Sequence, residues 1–224
     1  MRPEFHSPSS QPTGFADHAD RLVVRLYPPR GLPDIPDDHF VHRADLPELV
    51  TMLAIDLGPS VTPVPKTVAD AWGMPAADLF DRALANIARA SRVRWTKMSV
   101  PTRPPFTFDL LHGDGHAAAH ALRAGRSLPR IGKHGNLVAM PACNVLLSTA
   151  LDGAFTGPEL ETLLDMARGR FEAGPDSITP NLYWRSPAGQ WEVQLAVRDG
   201  ERTRLAPSDG FVECLVRMHR AQPR

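Results

Sequence analysis

Two cysteines, Cys143 and Cys214, are too few for the disulfide framework of a small secreted scaffold, and neither stands in a C-x-x-C motif. Both are expected to be reduced and buried. Charge of one sign is also missing, because 25 Lys and Arg balance 25 Asp and Glu. There is no overall electrostatic pull toward nucleic acid or an acidic membrane surface. No apolar run approaches the roughly 18 residues of a membrane span, and Met1-Arg2-Pro3-Glu4-Phe5-His6 lacks the continuous apolar region of a signal peptide. The expected setting is the cytoplasm, with neither membrane nor nucleic acid as a partner. A phosphate-binding glycine loop, a zincin helix and a G-x-S-x-G elbow are all absent, which removes the enzyme classes most readily read from sequence.

What remains is the composition of an ordinary packed domain, 42% hydrophobic and 22% charged. Residues 1–19 carry Pro, Ser, Gln and His with little apolar content and predict a flexible N-terminal tail ahead of a single domain over 20–224. Short branched or apolar runs predict strands at 21–27, 49–57, 92–100, 105–111, 137–140 and 145–148, the last two interrupted around Pro141. Two more, 181–185 and 191–197, flank Ser186-Pro187-Ala188-Gly189-Gln190 as a hairpin. Leu79, Phe80, Ala83, Leu84, Ile87 and Ala88 recur with helical spacing behind Pro75. Further helices are predicted from Asp114 to Gly125, with Asp114 as N-cap, from Pro158 to Glu172, and over 210–220, where Phe211, Cys214, Leu215 and Met218 share a face. Strands and helices mix without regular alternation. The predicted class is α+β, a mainly antiparallel sheet packed with three to four helices.

Four features invite chemistry. His112, His116 and His120 lie within nine residues together with Asp114, and imidazole and carboxylate donors suit zinc. On an α-helix His116 and His120 would share one face and His112 would precede it as a third ligand; an Asp114 that caps the helix would point away. Cys143, with His134 and Asn136 upstream, has the residue types of an activated thiol, although a buried structural thiol is the plainer reading. Tyr183, Trp184 and Trp191 sit on the two arms of the hairpin, and strand alternation sends Tyr183 and Trp184 to opposite faces, so at least one could meet a protein partner, although packing in the core is the plainer reading. Arg123, Arg126, Arg130 and Lys133 crowd one short segment as a local basic patch or a solvated loop.

Thr67-Val68-Ala69-Asp70-Ala71-Trp72-Gly73-Met74, followed by the helix that carries Ala83 and Asn86, resembles the tryptophan-glycine-plus-helix passage of the YtpQ-like family of bacterial proteins. Gly113-Asp114-Gly115-His116-Ala117-Ala118, then Val138-Ala139-Met140-Pro141, Val145-Leu146-Leu147 and Ile178-Thr179-Pro180-Asn181-Leu182-Tyr183, are similar in order, so the likeness spans roughly residues 45–195. Where that family carries an Arg-Asp pair after its Val-x-x-Pro segment, this chain has Cys143-Asn144. The resemblance implies a fold and a bacterial origin and supplies no catalytic residue.

Together these observations predict a non-enzymatic cytosolic binding or accessory protein, of the immunity or chaperone kind, without a cofactor and with a protein partner held by Tyr183, Trp184 and Trp191. The alternative is a metal-dependent hydrolase in which His112, His116 and His120 hold a zinc whose bound water ionises near neutral pH.

Overall fold

The computed structural model of the chain describes residues 14–29, 39–90, 94–102, 105–113, 115–153, 157–174, 176–200 and 202–220. They form an α+β fold of antiparallel sheets, as the mixed order of elements predicts. Where the sequence predicts one domain over 20–224, contacts divide the chain into two compact units, one within 1–92 and one within 93–224, with Leu46–Glu48 grouped with the second. Each unit has its own sheet and its own helix cover, which is why each is compact by itself.

The first unit begins with α1 (Phe15–His18) and a 3-10 turn, Ala19–Arg21, so helical structure occupies part of the segment predicted as a tail; residues 1–13 lie outside the described residues. Strands β1 (Leu22–Tyr27) and β3 (Leu49–Asp56) pair with Leu22 opposite Ile55 and Tyr27 opposite Val50. Strands β2 (His42–Leu46) and β4 (Val61–Pro63) complete the sheet, both in Pro- and Asp-rich stretches that carry little strand signal. The short α2 (Lys66–Ala71) leads to α3 (Ala76–Ala90), whose Leu79, Phe80, Ala83 and Ile87 are buried at the predicted helical spacing, with β1 as the main contact of the helix. Asn86 on the same face is buried, and its Nδ2 donates to the carbonyls of Ala19 (2.7 Å) and Leu22 (2.9 Å). That amide ties the N-terminal turn to the helix.

The second unit is built on a seven-stranded sheet. In chain order its strands are β5 (Trp95–Val100), β6 (Phe106–His112), β7 (Asn136–Ala142), β8 (Val145–Ala150), β9 (Leu182–Arg185), β10 (Trp191–Asp199) and β11 (Arg202–Ala206). In space the order is β11-β10-β9-β7-β8-β6-β5. Alternation sends Leu137, Ala139, Leu147, Leu182 and Trp184 to one face, where they pack with Leu163, Leu164 and Ala167 of α5 (Gly157–Glu172) and Phe211, Cys214 and Met218 of α6 (Asp209–Arg220). Each leucine, phenylalanine and methionine so removed from water contributes roughly 1.5–3 kcal/mol. On the sheet's other face, β7 and β8 meet a 3-10 helix, Ala117–Arg123. All seven residues of β7 are buried.

Two local predictions are corrected. The segment predicted as an α-helix from Asp114 to Gly125 is a 3-10 helix over Ala117–Arg123 followed by α4 (Ala124–Ser127), which contains Gly125. The cause is tertiary: the Ala118 amide donates to the Cys143 carbonyl at 3.0 Å, and the Ala119 amide reaches His116 three residues back, at 3.1 Å. Asp114, the predicted cap, lies outside the described residues. Likewise, β7 is not broken at Pro141. Its pairing with β8 shifts register between Ala139 and Ala142, where a missing amide hydrogen is tolerated, and the Pro141 carbonyl accepts from the Ile178 amide at 2.9 Å. The sequence predicts three to four helices; six α-helices are present among the described residues, and the additional ones, α1, α2 and α4, have six residues or fewer.

Candidate binding face on strand β10

The hairpin closes as predicted: the Ser186 amide donates to the Gln190 carbonyl at 2.8 Å, the Gly189 amide to the Ser186 carbonyl at 2.9 Å, and the Gln190 amide to Ser186 Oγ at 3.1 Å. Gly189 has φ of 90°, a left-handed conformation that strains any L side chain. The register places Arg185, not an aromatic residue, opposite Trp191; Trp184 faces Glu192, and Tyr183 faces Val193.

Tyr183 and Trp184 do point to opposite faces, but both are buried, because β9 is covered on both sides. Trp184 packs on Phe211 with ring centroids 5.8 Å apart, and its Nε1 donates to the His134 carbonyl at 2.9 Å. Tyr183 lies beside Val138 on β7, and burial pushes its phenol well above the ordinary value of 10. Of the three aromatic residues proposed to meet a partner, only Trp191 is partly exposed. Tyr183 and Trp184 are core residues.

The accessible apolar surface continues along β10 instead. Trp191, Val193, Leu195 and Val197 alternate on one face, a row of about 20 Å at the rise of a strand, and exposure grows along it to 42% at Leu195 and 47% at Val197. The opposite face of β10 carries Glu192, Gln194 and Ala196; Gln194 is fully buried and Ala196 packs on the core. Those polar groups are satisfied at the start of α6: Ser208 Oγ donates to Glu192 Oε2 at 2.5 Å, Gln194 Nε2 donates to Ser208 Oγ at 2.9 Å, and the Ser208 amide donates to Gln194 Oε1 at 2.8 Å. The strand is inverted relative to the usual apolar-in, polar-out pattern. Sequence reasoning did not single out Leu195 and Val197, although the period-two recurrence of Trp191, Val193, Leu195 and Val197 is visible in it.

The histidines do not converge. His112 is exposed at the end of β6, while His116 and His120 are buried. At three residues per turn, positions four apart differ by about a third of a turn, so the 3-10 geometry removes the shared face that an α-helix would give His116 and His120. His120 Nδ1 lies 3.4 Å from Ser127 Oγ. Among the described residues no three His, Cys, Asp or Glu side chains are arranged to hold a metal ion.

Cys143 follows the last residue of β7, while Asn136 opens it, so the strand separates them by about 20 Å, and His134 lies beyond Asn136. The activated-thiol arrangement is not formed. Both cysteines are buried and neither forms a disulfide. Burial pushes the Cys214 thiol up, against the opposing pull of Arg217. In the basic segment, Arg130 pairs with Asp152, whose Oδ1 also accepts from the Lys133 amide at 2.8 Å. Arg123 and Arg126 instead line a cavity with Arg185 and Trp191.

No family model matches the chain, and no curated protein or solved structure is significantly similar to it. Any functional reading therefore rests on the side chains themselves.

Proposed function

We propose that the protein is a non-enzymatic binding protein of the cytoplasm, an accessory to a protein partner that docks on the outward face of β10. The observation that supports this is the inversion of that strand, which leaves Leu195 and Val197 in water while Gln194 is buried. Exposing an apolar row while burying a glutamine lowers the stability of the isolated chain, and a partner that covers the row recovers the burial, roughly 25 cal/mol for each Å² of apolar surface removed from water. Trp191 and Val193 are held by pairing with β9 and Leu195 and Val197 by pairing with β11, so the row is already extended before docking. The partner that fits presents an apolar ridge of about 20 Å.

Site-specific photo-cross-linking in cells tests it. A photoreactive residue at position 195 or 197 is expected to capture the same protein, and one at position 198, which points to the other face, is expected not to. Absence of an adduct at 195 and 197, or the same adduct from all three positions, would sink the proposal.

A further inference from the structure

The cavity beside Trp191 carries a second assignment, which shares Trp191 with the row on β10 but does not involve Leu195 or Val197. It measures about 380 Å³ and is lined by residues 121–126 of the 3-10 helix and α4 together with Arg185, Gly189 and Trp191 of the hairpin. Arg123, Arg126 and Arg185 line it, and no acidic residue does. Among the described residues none of the three is paired with a carboxylate, whereas Arg130 nearby is paired with Asp152.

Space is kept for Arg185 in particular. A methyl group built on Gly125 would lie 3.4 Å from Arg185 Nη2, and one built on Gly189 would lie 3.1 Å from it. Gly189 is favoured by its φ of 90°, and a side chain there would also press on the Arg185 guanidinium. The guanidinium rests between two glycines contributed by segments that are 64 positions apart, from Gly125 to Gly189.

Like charges gathered in one small concavity repel, and an anion that pairs with them removes the repulsion. Guanidinium forks match phosphate oxygens in pairs, and three of them exceed what a single carboxylate can satisfy. The indole of Trp191 adds a flat apolar wall on which a planar ring can stack. The volume falls within the range of about 300–1,000 Å³ typical of small-molecule sites. We propose that this cavity binds a small organic phosphate with a planar ring, the phosphate held by Arg123, Arg126 and Arg185 and the ring lying on Trp191.

Isothermal titration of the full chain at low salt, with AMP, glucose 6-phosphate and inorganic phosphate as probes, tests it. AMP is expected to bind most tightly. Arg126→Ala, at an exposed position where folding is insensitive to the change, is expected to weaken AMP by about tenfold or more, and Arg130→Ala to leave it unchanged. Arg185→Lys keeps the charge and loses the fork, and is expected to weaken all three probes. Trp191→Ala is expected to reduce AMP to the affinity of glucose 6-phosphate without altering inorganic phosphate. Leu195→Ser, outside the cavity, leaves AMP binding intact whether or not a protein docks on β10. No heat with AMP, or equal AMP binding by wild type and Arg126→Ala, overturns the proposal, and equal affinity for AMP and glucose 6-phosphate overturns the part given to the ring.

Discussion

Strands β9 and β10 are the two arms of one hairpin, and both carry tryptophan and aliphatic residues, yet they live in different surroundings. On β9, Leu182, Tyr183 and Trp184 are all buried, because β7 flanks the strand and cover exists on both faces. On β10 the face bearing Glu192 and Gln194 is covered by the start of α6, while the face bearing Leu195 and Val197 is open. Alternation decides which side chains share a face; it carries no information about what lies over that face.

Matched substitutions on the two arms are therefore expected to have unequal effects. Trp184→Ala removes a buried indole from Phe211 and frees the His134 carbonyl, so it is expected to cost about 3–5 kcal/mol in urea denaturation. Tyr183 gives a pH signature. Below its ordinary value of 10 the phenol is neutral in both the folded and unfolded chain; above it the unfolded chain loses the proton and the folded one retains it. Stability is therefore expected to fall above pH 10 by up to about 1.4 kcal/mol per pH unit from this group, and Tyr183→Phe is expected to remove that part of the slope. Trp191→Ala, at a partly exposed site, is expected to cost about 1 kcal/mol. Leu195→Ser and Val197→Ser are expected to change stability by less than about 0.5 kcal/mol each while abolishing the cross-linked adduct. A cost above 2 kcal/mol for either serine variant would show that the row is packed rather than open.

Much of this fold is legible in the sequence. The period of Leu79, Phe80, Ala83 and Ile87 predicts α3, and the apolar runs and the Ser186–Gln190 turn place β6 to β10 and their hairpin. Three kinds of information are not local. The alanines of 117–121 favour a helix, but the Cys143 carbonyl, brought near by β8, takes the Ala118 amide and tightens the turn to 3-10. Pro141 reads as a break because the register shift that accommodates it belongs to a pair of strands. The short β2, β4 and β11 are held by neighbours more than by their own propensity. As for the site, Trp191 and the basic segment are both visible in the sequence. The burial of Tyr183 and Trp184 depends on cover supplied by other elements, and the meeting of Arg185 with Gly125 depends on packing between segments far apart in the chain.

The strand order has a kinetic consequence. Strand β5 pairs with β6, β7 with β8, and β9 with β10 and then β11, all across short connections, whereas the joins β6 to β8 and β7 to β9 span about 35 to 45 residues. Local hairpins form in microseconds, but the long loops between them must close before the sheet is continuous, and each closure sacrifices chain entropy before any core is gained. Folding of the second unit is thus expected to be limited by the docking of three preformed pieces, β5–β6, β7–β8 and β9–β10–β11, so that the hairpin bearing Trp191 gains its cover only when β9 seats on β7.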